Sequence, residues 1–182
     1  MKGIVFTEFM EMVDEKFSPE MTESLLDEVD LESGGVYTSV ATYDHGEIVS
    51  LVGKLSEKTD IPVPTLIQVF GEYLLERFTV LYPAFFEGVT STFSFLDSIE
   101  NHVHIEVKKL YNDAELPTFK TEKNGDLEMT MIYQSERPFA DLAEGLIRGS
   151  VAFFGEEIRI TREDLGDCNG SHAKFRLEKV AA

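Results

Sequence analysis

The sequence predicts an α+β fold with a mostly helical N-terminal lobe and a C-terminal lobe in which helices pack on a four-stranded antiparallel sheet. Up to Tyr111, apolar residues recur at spacings of three and four, which is typical of amphipathic helices. Beyond Pro117 the apolar residues alternate with polar ones, as in β-strands. With 182 residues, 43% of them hydrophobic, the chain can bury one sizeable core. We therefore expect a single domain with two lobes, about 1–64 and 65–182.

The expected N-terminal lobe consists of three helices. Ser18 is suited to cap the second helix, with Pro19 in its first turn, and Asp44 is suited to cap the third. Residues 36–43 are β-prone by composition and separate the second helix from the third. The helices are predicted at residues 3–17, 19–31 and 47–59.

The expected C-terminal lobe begins with two long helices and ends with the sheet. Asn124-Gly125 is a hairpin signal between two alternating segments. Pro138 suits the first turn of a further helix. Helices are predicted at 65–81, 93–111 and 138–154, with a short helical turn at 84–88. Strands are predicted at 118–120, 127–133, 157–161 and 173–180.

The predicted helix over 93–111 carries two of the four histidines. At about 100° per residue, His104 and His102 lie on opposite borders of its apolar stripe, and His104 lies beside Glu100, Lys108 and Tyr111. Such a histidine can turn an imidazole nitrogen into a groove beside the core, where a metal or haem iron could bind. The ordinary alternative is a half-exposed helix histidine, and periodicity does not choose between the two. The stripe consists of Leu96, Ile99, Val103, Val107 and Leu110.

A second polar constellation follows on a predicted strand. Alternation places Tyr133, Ser135 and Arg137 on one face. Two hydroxyls and a guanidinium in a row suit a pair of carboxylates such as haem propionates, because Arg can donate two hydrogen bonds to one carboxylate.

Taken in register, these motifs resemble the haem-nitric oxide/oxygen binding (H-NOX) family, related to the haem domain of soluble guanylate cyclase. The resemblance covers essentially the whole chain, and Arg137 follows His104 by thirty-three residues, as in the family. Its residues are Met1-Lys2-Gly3, His104-x-Glu106-Val107-x-Lys109-Leu110-Tyr111, Pro117, Tyr133-x-Ser135-x-Arg137, and Glu144-Gly145-Leu146 followed by Gly149.

The resemblance implies a b-type haem between the lobes. It selects His104 as the iron ligand and Pro117 as a residue packed on the macrocycle, and it gives the propionates to Tyr133, Ser135 and Arg137. It also implies that residues 36–43 form a loop and short helix over the pocket, and that Asp44 pairs with Arg137. The distal positions that it implies are Val5, Phe9, Leu74, Phe78, Leu142 and Leu146.

The function implied is a gas sensor that is not itself an enzyme. Oxygen-binding members carry a tyrosine five residues beyond the arginine, and Leu142 stands there. We therefore expect nitric oxide and carbon monoxide to bind and oxygen not to bind stably, with Tyr73 as the residue that could reverse this expectation. Nitric oxide is expected to leave the iron five-coordinate. Since the chain has no attached effector, signalling is expected in trans, to a histidine kinase or a cyclic-di-GMP enzyme as in similar bacterial domains.

Three alternatives remain. Two of them are an oxygen sensor of the same family and a haem-free scaffold domain. A metal-dependent enzyme built on His102-x-His104 is the other, but on a helix these side chains point about 160° apart, which separates them.

Composition limits the partners and the compartment. Sixteen basic and thirty-four acidic residues give a net charge of −18, so nucleic acids and anionic membranes would be repelled. No apolar run approaches the ~20 residues of a membrane span, and the N-terminus does not read as a signal peptide. Cys168 is the single cysteine, which excludes an internal disulfide and the cysteine-rich zinc site of some bacterial relatives. We expect a cytoplasmic protein in which Cys168 is an ordinary surface thiol.

Overall fold

The computed structural model describes residues 1–166 and 169–180, and it confirms the α+β class. Its sheet is antiparallel throughout, in the order β1-β2-β4-β3. The helices are α1 (Gly3–Lys16), α2 (Pro19–Glu28), α3 (His45–Thr59), α4 (Val63–Leu81), α5 (Thr92–Ser98), α6 (His104–Leu110) and α7 (Ala140–Phe154). A 3₁₀ turn spans Pro83–Phe86 and a π-helical segment spans Ile99–Val103. The strands are β1 (Thr118–Asn124), β2 (Glu128–Gln134), β3 (Ile158–Asp164) and β4 (His172–Lys179).

The buried side chains form two apolar clusters, and α4 contributes to both. Its residues up to Leu74 pack with α1 and α3, whereas Leu75 packs with the sheet and α7. The first cluster is centred on residues such as Phe6, Phe9, Met12, Leu51 and Leu55, and the second on Met129, Met131, Ile147, Phe175 and Leu177.

Helices α4 and α7 touch through their backbones. A Cβ atom on Gly145 would lie 2.2 Å from the carbonyl oxygen of Gln68 and 2.8 Å from the Cα of Gly71. Real carbon atoms do not approach so closely, so only glycine at position 145 permits this crossing. Both clusters therefore pack against this pair of helices.

Some of the predicted helix boundaries require correction. Helix α2 ends three residues before Leu31, because Val29 is extended. Helix α7 begins only at Ala140, two residues after Pro138. The predicted caps are confirmed, since Ser18 accepts from the amide of Met21 and Asp44 from that of Gly46.

Residues 36–43 form a loop with turns and no helix, contrary to the expectation of a short helix. The loop's carbonyl groups accept the first amides of α1: Gly3 donates to Ala41 at 2.8 Å and Ile4 to Ser39 at 3.0 Å. These amides have no partner within their own helix, so the loop completes the N-terminus of α1 instead of forming its own helical bonds.

The helix predicted over 93–111 is also interrupted. The amide of His104 donates to the carbonyl oxygen of Ile99, five residues earlier, which defines the π-helical turn between α5 and α6. Counting 100° per residue through this turn is therefore wrong. The turn contains one more residue than an α-helical turn. At the end of α6, Leu110 is largely exposed.

No helix among the described residues is long and apolar enough to cross a membrane. Cys168, together with the prediction made for it, lies outside the described residues.

Candidate functional site

A cavity of about 630 Å³ lies between the two apolar clusters. Volumes of roughly 300–1,000 Å³ are usual for small-molecule and cofactor sites. Most of its wall is hydrocarbon, contributed by α1, α4, α7 and the α5–α6 region. The residues of that wall include Ile4, Val5, Leu74, Leu75, Phe78, Phe95, Leu96, Ile99, Val103, Val107, Leu116, Pro117, Met131, Leu142, Leu146 and Ile147.

His104 lines this cavity from the start of α6. Its side chain is only 14% exposed, and Nδ1 lies 3.3 Å from Oε1 of Glu100. Burial lowers the pKa of His104, and the neighbouring carboxylate of Glu100 opposes that effect. The imidazole is therefore held neutral, which is the form that binds a metal ion. With the hydrogen on Nδ1, the lone pair is on Nε2.

The remaining histidines are placed differently. His102 is not part of the cavity wall, because its Nε2 lies 2.8 Å from the carbonyl oxygen of Ala84. His45 and His172 are the first residues of α3 and β4. His45 does line the cavity, where its ring meets Phe139 edge-on with the centroids 6.1 Å apart. Within the described chain, no group of three or more His, Cys, Asp or Glu residues could hold a metal ion.

The triplet Tyr133, Ser135 and Arg137 also lines the cavity, but not as three residues of one strand. Only Tyr133 belongs to β2, which ends at Gln134. The chain then turns, so the strand does not extend to the other two residues, although all three side chains lie on the cavity side, the shared face that the alternation predicted. The Tyr133 hydroxyl donates to the carbonyl oxygen of Arg137 at 3.1 Å, and the Arg137 amide donates to Oγ of Ser135 at 3.1 Å. Both hydroxyls therefore fix the turn that presents the guanidinium.

Arg137 pairs with Glu115, not with Asp44. The Asp44 carboxylate is used at the N-terminus of α3, where it accepts from the Gly46 amide at 2.7 Å. Glu115 lies in the segment that leaves α6, two residues before Pro117, and that segment reaches the arginine instead.

Of the distal positions implied by the resemblance, only Phe9 does not line the cavity. Phe9 is fully buried in the first cluster, edge-on against Phe70 at 5.3 Å. Tyr73 also faces away from the cavity, since its hydroxyl donates to Glu15 at 3.2 Å. Burial and this carboxylate raise the pKa of Tyr73 to about 12.

Two tyrosines in the cavity wall form a hydrogen bond that was not predicted from the sequence. The hydroxyls of Tyr82 and Tyr111 lie 2.9 Å apart, and both residues line the cavity. Burial, and then the hydrogen bond with Tyr111, raises the pKa of Tyr82. The signal in the sequence was the four-residue spacing of Leu74, Phe78 and Tyr82, which continues one face of α4 to the residue directly after its end.

These features match the needs of a haem. The apolar wall suits a flat macrocycle, the neutral imidazole of His104 suits an axial ligand, and Arg137 with the nearby hydroxyl of Ser135 suits carboxylates. A mostly helical lobe joined to a sheet-bearing lobe around such a cavity defines a haem-based sensor domain.

The chain belongs to the haem-NO-binding family, whose model matches residues 2–162, and it binds haem as that family does. The A71G variant of the H-NOX protein from K. algicida, in the Fe(II) unliganded state, is 38% identical. The chain covers 100% of its own length and 97% of that protein, with a TM-score of 0.92. No curated protein matches the chain.

Two further solved structures are similar. The H-NOX protein from Shewanella woodyi, bound to IWP-051 in the Fe(II)CO state, is 38% identical with a TM-score of 0.84, over 99% of this chain and 95% of that one. The H-NOX protein from S. oneidensis in the Fe(II)NO state is 24% identical, covers both chains fully and has a TM-score of 0.91. At 24% identity, the similarity to the S. oneidensis protein is evidence for the fold alone.

Proposed function

We propose that this protein is a nitric oxide sensor in which His104 holds a ferrous haem and the opposite axial position takes the gas. The observation that carries the proposal is the wall itself: the imidazole of His104, only 14% exposed, faces the cavity, and the side chains at Val5, Leu74 and Leu142 are hydrocarbon. Pro117 packs on the macrocycle in this proposal, and Tyr133, Ser135 and Arg137 receive the propionates.

Selectivity follows from the character of this wall. Oxygen bound to ferrous iron gathers negative charge and needs a hydrogen-bond donor, whereas nitric oxide and carbon monoxide need one far less. A hydrogen bond to a charged group is worth roughly 1.5–3 kcal/mol, or about tenfold to a hundredfold in affinity. Leu142 and Leu146 cannot donate, and the Tyr73 hydroxyl is held by Glu15 outside the cavity wall.

The switch proposed here is the bond between the iron and His104. A haem held by His104 would supply the iron that binds the gas, and release of His104 on nitric oxide binding would let α6 relax toward a position that a partner can distinguish. Carbon monoxide binds without this release. The partner that reads the helix is a separate signalling protein, a histidine kinase or a cyclic-di-GMP enzyme.

An absorption spectrum of the ferrous protein, recorded alone and then with carbon monoxide, nitric oxide and air, tests the proposal. We expect a five-coordinate ferrous spectrum, a six-coordinate spectrum with carbon monoxide, a five-coordinate one with nitric oxide, and only slow oxidation in air. A spectrum with nitric oxide that remained six-coordinate would contradict the switch.

An oxygen sensor is the second candidate, and the Tyr82–Tyr111 pair is what favours it. Two hydroxyls that share one hydrogen bond retain a second hydrogen, which can be donated into the cavity. A stable oxygen complex that disappeared in Tyr82→Phe but persisted in Tyr73→Phe would establish this second function instead.

A further inference from the structure

Glu100 makes two contacts with the same oxygen atom. Its Oε1 lies 3.3 Å from Nδ1 of His104 and accepts the backbone amide of Phe119 at 2.6 Å. Phe119 belongs to β1, so the carboxylate is tied to the sheet at one contact and to the imidazole at the other. The ring of Phe119 also packs against that of His104, with the centroids 5.9 Å apart.

This arrangement lies at the π-helical turn. Glu100 lies inside the turn and His104 directly follows it, so the carboxylate and the imidazole, four residues apart, are brought together next to the first residues of β1. Lys108 is the other charged group that acts on His104, and it opposes the charged form of the imidazole rather than pairing with it.

We propose that Glu100 is a positioning residue that accepts the Nδ1 hydrogen of His104 and thereby sets how readily nitric oxide releases that histidine. The inference rests on the proposed role of His104 as the iron ligand. A carboxylate on the outer nitrogen of a ligating histidine fixes the tautomer and the ring orientation, and it makes the inner nitrogen a stronger donor. A neutral acceptor does this less well, because hydrogen bonds with a charged partner are stronger.

The purely structural alternative is that Glu100 only joins the π-helical turn to β1. Glu100→Gln separates the two readings, because the amide oxygen of glutamine can still accept from Phe119 while the charge facing His104 is lost. Glu106→Gln is the matched control: this residue is on the same helix, but its carboxylate pairs with Lys109 and not with the imidazole.

The first experiment measures the iron–histidine stretching frequency of the ferrous protein by resonance Raman spectroscopy, together with the rate at which His104 is released after nitric oxide binds. In Glu100→Gln we expect a shift to lower frequency and release about fivefold faster, as the difference between charged and neutral hydrogen bonds implies. Glu106→Gln should match the parent in both. An unchanged frequency and rate in a folded, haem-loaded Glu100→Gln protein would overturn the inference.

The second experiment uses His104→Gly loaded with haem and either imidazole or 1-methylimidazole. Imidazole bound to the iron retains an N–H for Glu100, whereas 1-methylimidazole has a methyl group there. Adding Glu100→Gln should lower the iron–imidazole frequency with the first ligand and leave it unchanged with the second. Equal shifts with both ligands would show that Glu100 acts through the fold alone.

The two proposals fail in different ways. If His104→Gly retains the iron–histidine signal of the parent, His104 is not the ligand, and the proposed function falls together with this inference. If imidazole restores that signal in His104→Gly but Glu100→Gln changes neither the frequency nor the release rate, only the inference about Glu100 is contradicted.

Discussion

At the scale of single residues, the placement of His104 distinguishes it from the other histidines. Its side chain in the cavity wall is only 14% exposed, whereas His102 is turned to the carbonyl group of Ala84 and the side chain of His45 is 39% exposed beside Asp44. Replacing His104 with glycine should leave a protein that retains ferrous haem only when imidazole is supplied. His102→Ala and His45→Ala should leave the absorption spectrum nearly unchanged.

Loss of the spectrum in either control, with a normal spectrum in His104→Gly, would assign the iron to a different histidine. Absorption spectra with and without added imidazole are sufficient for the measurement.

Arg137 is the residue on which haem retention should depend most among the polar groups of the cavity. Its side chain is four-fifths buried and its turn is fixed by Tyr133 and Ser135. Losing one charge-assisted pair, worth roughly 1.5–3 kcal/mol, should accelerate haem loss in Arg137→Ala by at least about tenfold. Transfer of haem to an apo acceptor protein measures this rate.

Arg159→Ala is the comparison for that experiment, because Arg159 is largely exposed and pairs with Glu178 on the sheet. Equal rates of haem transfer from the two variants would contradict the proposed binding of a propionate by Arg137.

The sequence could identify most of the residues that face the cavity, but not the side chain with which each of them pairs. The resemblance of the motifs to the family implied that His104, Pro117 and the triplet surround a haem, and all of these residues line the cavity. The partner of Arg137 depends on how the segment after α6 folds back, and no local pattern records that path. Asp44 was therefore expected to pair with Arg137, but Glu115 does so. Phe9 was expected to line the cavity, but it is fully buried in the first cluster.

At the scale of helices and strands, the crossing of α4 and α7 is the tightest constraint. Gly145→Ala would place a methyl group 2.2 Å from the Gln68 carbonyl oxygen, and overpacking of this kind costs about 1–3 kcal/mol. The melting temperature should fall by roughly 2–4 °C for each kcal/mol in a protein of this size.

Gly53→Ala is the matched control, since Gly53 lies within α3 and a Cβ there meets nothing within 4 Å. The same substitution should stabilise the protein by about 0.5–1 kcal/mol, because alanine favours a helix. Calorimetric melting of both variants tests the pair, and a Gly145→Ala protein as stable as Gly53→Ala would contradict the close crossing.

Periodicity located the helices and strands but could not reveal the π-helical turn. An apolar stripe remains apolar when one residue is added to a turn, so the pattern from Leu96 to Val107 is compatible with both geometries. The extra residue becomes visible only through the hydrogen bond from His104 to Ile99.

At the scale of the whole molecule, the cavity separates the two apolar clusters that α4 joins. Haem should therefore stabilise the fold by adding contacts to both clusters. With free haem at about a thousand times its dissociation constant, linkage gives about 4 kcal/mol, or a rise in melting temperature of roughly 10 °C.

Thermal unfolding of the haem-free and haem-loaded protein measures this difference. The His104→Gly protein without imidazole should show a much smaller increase on adding haem. Coincident melting curves for the haem-free and haem-loaded parent would mean that haem does not bind the folded protein in preference to the unfolded chain.

The π-helical turn also determines which changes of chain length this helix can tolerate. Since the turn contains one residue more than an α-helical turn, deleting the exposed Asn101 should let α5 and α6 join as one regular helix with both ends in place. Inserting an alanine after Asn101 should instead rotate α6 by about 100° and carry the imidazole of His104 away from the cavity. Haem loading should therefore survive the shorter chain and be lost in the longer one, so homologous chains can differ here by a gap but not by an added residue.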